Sequence, residues 1–206
     1  HGNGPVLVDE LTYLKNSFGE RERDIRPRYV QLSESEAPEL YPSISRSIRV
    51  LAPHISDKDE LSHRWQDLRS LLKLGFKAFD LQEELALFIK AFGERGKALW
   101  PVYIRLAETT PPKFYPAISR SVSALASYIS DAAELSERWN DLIAMENASE
   151  GFSGFVSDST QPLLMLMRYL GAEMDLRRMN SVDEKRKFFD EQWPRLVRIV
   201  QSSRSY

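Results

Sequence analysis

The sequence predicts an all-α protein assembled from tandem duplicated helical units. Residues 9–68 align with residues 83–142 at a constant offset of 74 and without a gap, and about half of the aligned positions are identical. Such self-similarity is typical of repeat architectures. Apolar residues recur at helical spacing in both copies, whereas no comparable stretch alternates with the period of two that strands show. We therefore expect two units of about four short helices each, arranged as a solenoid or as stacked bundles.

Three short stretches carry most of the match between the copies. They are FGER at 18–21 and 92–95, YPSISRS at 41–47 with YPAISRS at 115–121, and ISDKDELSHRWQDL at 55–68 with ISDAAELSERWNDL at 129–142. The near-identity of these stretches indicates that one ancestral unit was copied head to tail.

The C-terminal residues predict a partial third unit. QPLLMLMRYLGAE at 161–173 resembles QEELALFIKAFGE at 82–94, and WPRLVRIVQ at 193–201 resembles WPVYIRLAE at 100–108. An atypical last unit is expected, because the final apolar face of a repeat array has no following neighbour to cover it. The predicted segments, packed as one continuous body, are a first unit at 6–76, a second unit at 77–152, and a partial unit with a C-terminal cap at 153–206.

Glycine and proline set the predicted ends of the first two helices in each unit. The first helix ends before Gly19 or Gly93, a residue type that suits the position just past a helix end. The second helix is expected to begin at Pro27 or Pro101, where the missing N–H is harmless in the first turn. It is expected to end before the prolines that follow, at 38 and at 111–112.

The third and fourth helices of each unit are predicted from apolar stripes. The third begins at Pro42 or Pro116, and its stripes are Ile44, Ile48, Leu51 and Ile55, and Ile118, Val122, Leu125 and Ile129. The fourth is preceded by a D-x-x-E capping pattern, Asp57 with Glu60 and Asp131 with Glu134. Its stripes are Leu61, Trp65 and Leu68, and Leu135, Trp139 and Leu142. The region 147–160 reads as a loop, and one continuous helix from Phe76 to residue 92 is expected to link the first two units.

Composition limits the possible partners. The formal charge of −2 argues against non-specific binding to nucleic acid, which requires a basic surface. No apolar run approaches the roughly 18 residues needed for a transmembrane helix. Cysteine is absent, which excludes disulfides and thiolate metal sites and suits a reducing compartment without excluding export. The chain opens with HGNGP, expected of a processed form or of a cloning remnant, so both cytoplasmic and secreted locations stay open.

No catalytic, metal or cofactor site is predicted. Glu60 and His63 have the E-x-x-H spacing of di-iron bundles, but His63 falls opposite the apolar stripe and is replaced by Glu137 in the second copy. We interpret it as a surface histidine. No phosphate-binding glycine loop or Ser/His/Asp arrangement is recognised, so the protein is expected not to be an enzyme.

Four arginines and a methionine-rich segment are the candidate binding residues. Arg46 and Arg120 each lie in S-R-S opposite an apolar stripe, and they are interpreted either as partners of a carboxylate on the next helix or as contacts to another protein. Arg64 and Arg138 are the second matched pair, expected to form ion pairs with Glu60 and Asp67, and with Glu134 and Asp141. The apolar candidates are Met165, Met167, Leu170 and Met174, either buried or available to a ligand or partner.

These observations favour a non-enzymatic interaction module or scaffold, because stacked helical units offer extended surfaces to a protein partner. The alternative is a carrier that encloses a small apolar molecule, such as a fatty acid, in an internal cavity.

Overall fold

The computed structural model describes residues 12–149, 171, 173–174 and 177–202. Residues 12–18 are helical, and eight further α-helices follow in the described part of the chain. They are α1 (Glu22–Ser35), α2 (Tyr41–Leu51), α3 (Lys58–Lys73), α4 (Ala78–Phe92), α5 (Arg95–Thr109), α6 (Tyr115–Ala124), α7 (Ala132–Ser149) and α8 (Val182–Ser202). No strand occurs among the described residues, so the predicted all-α class is confirmed.

The chain divides into two compact units, His1–Lys97 and Ala98–Tyr206. The division falls near the start of α5, which is the second helix of the second sequence copy. This division separates two groups of residues that contact each other closely in the structure. The boundaries 6–76, 77–152 and 153–206 instead follow the sequence repeat. Those repeat boundaries stay a prediction.

In the first unit, α2 packs against both α3 and α4, and α1 packs against α3. The predicted stripe residues of α2 and α3 are all buried, with exposed fractions of 0–2%. Ile55 is buried as expected but lies outside the helix, because α2 ends at Leu51 and a short 3₁₀ turn, Ala52–His54, follows it. The apolar stripes therefore form the core of this unit, as their spacing predicts.

In the second unit, α7 packs against α6 on one side and against α8 on the other. The stripe residues of α6 and α7 are fully buried. The α8 helix adds a second apolar layer, in which Phe189 stacks on Tyr128 with ring centroids 4.2 Å apart and Trp193 is 1% exposed. The C-terminal helix thus covers a second face of α7, next to the one formed by its apolar stripe.

The predicted caps of α3 and α7 are present. The Asp57 carboxylate accepts hydrogen bonds from the backbone N–H groups of Asp59 and Glu60, and Asp131 does the same for Ala133 and Glu134. Each glutamate reaches back to the serine that precedes the capping aspartate, over 2.8 Å and 2.6 Å. These bonds satisfy N–H groups that have no partner inside the helix.

The prediction that the second helices begin at Pro27 and Pro101 is wrong. Helix α1 begins at Glu22 and α5 at Arg95, so both prolines lie inside a helix. Each proline removes one backbone hydrogen bond. The buried side chains of α1, Ile25 and Tyr29, stand on either side of Pro27 at helical spacing, and their burial favours a helix that continues through the proline.

The junction between α3 and α4 is a tight turn that sequence reasoning missed. Gly75 adopts a φ of 92°, its N–H bonds to the carbonyl of Leu72, and the N–H of Phe76 bonds to the carbonyl of Leu71. This pair of bonds is the Schellman arrangement that ends helices at a glycine. The helix expected from Phe76 begins at Ala78 instead, and α7 runs on to Ser149, so 147–149 are helical rather than loop. The rest of 147–160 lies outside the described residues.

A second turn of this kind is closed by an arginine. The N–H of Met179 bonds to the carbonyl of Met174 over 3.1 Å, and Arg178 adopts a φ of 53°. A side chain with a Cβ is strained in this left-handed conformation, whereas glycine is not. We expect Arg178→Gly to raise the free energy of unfolding by about 1 kcal/mol in urea titrations.

Arg178→Ala is the matched control, because it removes the exposed guanidinium but keeps the Cβ. It should leave stability within about 0.5 kcal/mol of the wild type. Equal stabilisation by alanine and glycine would contradict an origin in backbone strain.

Candidate interaction surface

A buried hydroxyl cluster joins the second and third helices of each sequence copy. In the first unit, the Tyr29 hydroxyl donates to Ser45 Oγ over 2.8 Å, and in the second, the Tyr103 hydroxyl lies 2.7 Å from Ser119 Oγ. Each tyrosine also meets a tryptophan of the fourth helix edge to face, with centroids 5.4 Å apart in both units. The first serine of each S-R-S sequence is therefore occupied inside the core.

The equivalent tryptophans of the two copies, Trp65 and Trp139, donate their indole N–H groups to different acceptors. The Trp65 indole N–H donates to Glu36 Oε2 over 2.9 Å, and Arg69 lies 3.3 Å from the other oxygen of that carboxylate. The Trp139 indole N–H donates over 2.9 Å to the hydroxyl of Thr110. At the position of Arg69 the second copy has Ile143. Arg69 thus occurs in the copy whose acceptor is the buried carboxylate of Glu36. It is absent from the copy whose acceptor is the neutral hydroxyl of Thr110.

Arg46 and Arg120 both lie on the exposed side of their helices. The residues on either side of Arg46, Ser45 and Ser47, are buried, and Arg46 points outward. No described carboxylate forms an ion pair with Arg46, so the interpretation of Arg46 as an interhelical ion-pair partner finds no support among the described residues. The guanidinium of Arg46 is accessible to a partner.

The other first-copy arginine, Arg64, forms the ion pairs predicted for it. It lies 3.4 Å from the carboxylate of Glu60 and 3.2 Å from that of Asp67, and its side chain is 14% exposed. Both pairs join neighbouring turns of α3 and contribute a few tenths of a kcal/mol each.

The second-copy pairs differ from this prediction because α8 lies over them. Arg138 is 7% exposed, lies 3.4 Å from Asp190, and stands 5.5 Å from the ring centroids of both Phe189 and Trp193. Only its predicted contact with Asp141 is present, at 3.8 Å. The solvent-facing ion pair expected of Arg138 is therefore replaced by a buried contact with the C-terminal helix.

Glu134 is paired with Arg186 of α8 instead of Arg138. Partial burial alone would raise the pKa of Glu134, but the backbone N–H of Ser130 and the Arg186 guanidinium outweigh it and hold the pKa below the ordinary value of a glutamate side chain. A carboxyl whose pKa is lowered by folding stabilises the fold above its unfolded pKa, and this contribution is lost as the pH falls through the folded value. The contact between α7 and α8 should therefore weaken in acid.

We expect the stability difference between the wild type and Glu134→Gln to be larger at pH 7 than at pH 3.5, a pH below the ordinary pKa of a glutamate side chain. Urea titrations at both pH values measure this difference. Glu108→Gln, which changes an exposed glutamate of α5 in the same unit, is the control and should show a smaller change with pH. A difference for Glu134→Gln that stays constant with pH would contradict the assignment.

Only one residue of the apolar candidate group can be placed. Met174 is 4% exposed, and its sulfur accepts a hydrogen bond from the Tyr128 hydroxyl over 3.4 Å. Met165, Met167 and Leu170 lie outside the described residues. Met174 is thus packed against the fold of its own unit.

The remaining polar groups do not assemble into a metal site in the described ranges. His63 is exposed, as expected of a surface histidine. Across 12–149 and the described C-terminal residues, no group of three or more histidines and carboxylates could hold a metal ion. An open groove of about 370 Å³ lies beside α8, lined by Arg177, Arg178, Met179, Glu184, Lys187, Phe188 and Glu191. No described helix is long and apolar enough to cross a membrane.

No protein family model, curated protein or solved structure matches this chain.

Sequence reasoning missed three sets of residues that make these contacts. Arg186, Asp190 and Trp193 contact α7 at a spacing of four and three residues, which matches the spacing of Glu134, Arg138 and Asp141. Ser181 with Glu184 was a readable capping box at the start of α8, and the Ser181 hydroxyl indeed accepts from the Glu184 N–H over 3.0 Å. The repeat could not identify Glu36 and Thr110 as indole acceptors, because the two copies have different residues at this position.

Proposed function

We propose that this chain is a non-enzymatic tandem helical-repeat protein that binds a protein partner through equivalent arginines, Arg46 and Arg120. The observation that carries the proposal is their common exposure at positions 74 residues apart, next to serines that are buried in both copies. The copies differ at about half of their positions, yet the S-R-S sequence is identical in both. An exposed residue that is identical in both copies, although packing does not require it, is expected to contact a partner.

The proposed repeat is supported by contacts that recur at the same offset. The tyrosine–serine and tyrosine–tryptophan contacts and the aspartate caps recur 74 residues later. A second copy of the unit offers a second exposed arginine in the same S-R-S sequence, so each unit can make its own contact with the partner. Arginine favours a partner with carboxylates, which it holds through two parallel hydrogen bonds.

Photo-crosslinking tests this proposal. A photoreactive residue is placed at position 46 or 120, and in separate proteins at positions 66 or 140, which are exposed and also 74 residues apart. We expect the same protein to be captured at 46 and at 120 but not at 66 and 140. With that partner purified, Arg46→Ala and Arg120→Ala should each raise the Kd about tenfold, and Gln66→Ala should leave it unchanged.

The proposal fails if the purified partner binds the double variant Arg46→Glu/Arg120→Glu with the wild-type Kd. Both side chains are exposed, so the variants should keep the far-UV circular dichroism of the wild type, and a loss of binding can be separated from a loss of fold.

The carrier alternative gains no support from the described residues. The groove beside α8 is open and lined by five charged side chains, whereas a carrier encloses its ligand in an apolar cavity. Solvent extraction of the purified protein followed by mass spectrometry remains the direct test, and a bound lipid at one-to-one stoichiometry would favour the carrier.

A further inference from the structure

The turn between α3 and α4, residues 73–79, presents two large apolar side chains to solvent. Phe79 is 75% exposed and Leu74 is 50% exposed, although most large apolar residues of this unit are buried. Lys73 and Lys77 in the same turn are also exposed. The 73–79 turn therefore combines protruding apolar groups with positive charge.

The backbone of this turn is held in place. The two bonds that close it, from Gly75 to Leu72 and from Phe76 to Leu71, are 3.1 Å and 3.3 Å long. Phe76, in the middle of the turn, is 5% exposed, and Leu71 is fully buried. These two side chains anchor the turn in the core. Exposure of Phe79 is thus a property of the folded chain, and binding through it requires little further ordering.

The charges of the segment favour a negative partner. Between Asp67 and Asp80 the chain contains no acidic residue, and Arg69 in this interval is engaged with Glu36. Lys73 and Lys77 are left at the surface beside Leu74 and Phe79. Lysine can keep its ammonium group at the level of lipid headgroups while neighbouring apolar side chains enter the acyl region.

We propose that the 73–79 turn is a peripheral docking site for an anionic lipid bilayer. Phe79 and Leu74 enter the interface between headgroups and acyl chains, and Lys73 and Lys77 contact the negatively charged headgroups. A protein partner would have to supply a pocket shaped for the protruding phenyl ring, whereas a bilayer accepts it without a preformed shape. The site is independent of the arginine contacts at positions 46 and 120.

The second copy provides an internal contrast. The positions that follow Lys73, Leu74, Lys77 and Phe79 by 74 residues are Asn147, Ala148, Gly151 and Ser153. Neither the large apolar groups nor the lysines are repeated there. These positions lie beyond the aligned stretches 9–68 and 83–142, so the feature is not part of the repeated core.

Vesicle binding of the full chain tests this inference. Vesicles of phosphatidylcholine with and without phosphatidylserine are sedimented with the protein, and we expect binding only where phosphatidylserine is present. Phe79→Ser should weaken the partition about tenfold, and Lys73→Gln and Lys77→Gln about fivefold each. Binding should fall strongly at 1 M salt, where the screening length is about 3 Å.

Insertion of residue 79 into the bilayer is measured by the fluorescence of the Phe79→Trp variant. The four native tryptophans are all buried, so a blue shift of the added fluorescence on vesicle binding reports the position of residue 79. The matched controls are Val182→Ser, which changes a side chain that is 76% exposed, and Lys90→Gln, which changes an exposed lysine of α4. Both should bind vesicles like the wild type.

Three outcomes would overturn the inference. They are absence of wild-type binding at millimolar lipid, equal binding to neutral and anionic vesicles, and unchanged binding of the Phe79 and lysine variants. Capture of a protein by a photoreactive residue at position 79, together with no vesicle binding, would assign the turn to a protein partner instead.

Discussion

Trp193→Ala is expected to lower the free energy of unfolding of the second unit by about 3–5 kcal/mol. The indole is 1% exposed, donates to Asp141 Oδ2 over 2.6 Å, and stacks on Phe189 with centroids 5.2 Å apart. It also stands 5.5 Å from the Arg138 guanidinium. Removal of the indole leaves a cavity between α7 and α8. It also takes away the ring beside the buried Arg138 guanidinium, so packing and electrostatic losses act together.

Two further variants separate these losses in urea titrations. Trp193→Phe keeps most of the ring packing but loses the indole donor, and it should lower the free energy of unfolding by about 1–2 kcal/mol. Arg195→Ala changes an exposed residue of the same helix and should stay within about 0.5 kcal/mol of the wild type. If Trp193→Ala were no worse than Arg195→Ala, α8 could not pack on α7 as described.

Glu36→Ala is expected to lower the free energy of unfolding of the first unit by about 2–4 kcal/mol. The carboxylate side chain is 2% exposed and accepts from the Trp65 indole and from the backbone N–H of Ala37 over 3.0 Å. Arg69 is 37% exposed, so its ion pair with the buried Glu36 contributes the smaller part of this loss. Most of it arises because the buried indole N–H is left without an acceptor.

The second copy supplies the variant that should repair this loss. Glu36→Thr with Arg69→Ile installs the pair found at Thr110 and Ile143, and we expect it to unfold within about 1 kcal/mol of the wild type. In the opposite direction, Thr110→Glu alone buries a carboxylate without its arginine, and Ile143→Arg should restore part of the stability. Glu36→Thr as stable as the double variant would contradict the coupling of the two positions.

The apolar pattern of the sequence was sufficient to predict the all-α class and most of the core. Ile44, Ile48 and Leu51 are buried where their spacing of four and three residues places them, because a helix can hide only one stripe. The capping aspartates were equally readable, since their bonds run to backbone groups two and three residues away. Local features with a fixed spacing are thus the predictable part of this fold.

Contacts between distant segments could not be predicted in the same way. Arg138 and Arg64 have similar local sequences, yet Arg138 is buried because α8, about fifty residues later, lies over it. The exposure of Phe79 depends on the turn at Gly75, which determines where α4 begins. Such outcomes depend on which helix packs on which face, and local spacing contains no information about that choice.

The unlike partners of the two tryptophans also bear on how the chain reaches its native state. Nearly identical segments in one chain can exchange places during folding, a recurring error of repeat proteins. If Glu36 settled against Trp139, its carboxylate would be enclosed beside Ile143, with no cation to neutralise it. Divergence at these two positions therefore penalises the swapped arrangement and directs each segment to its own tryptophan.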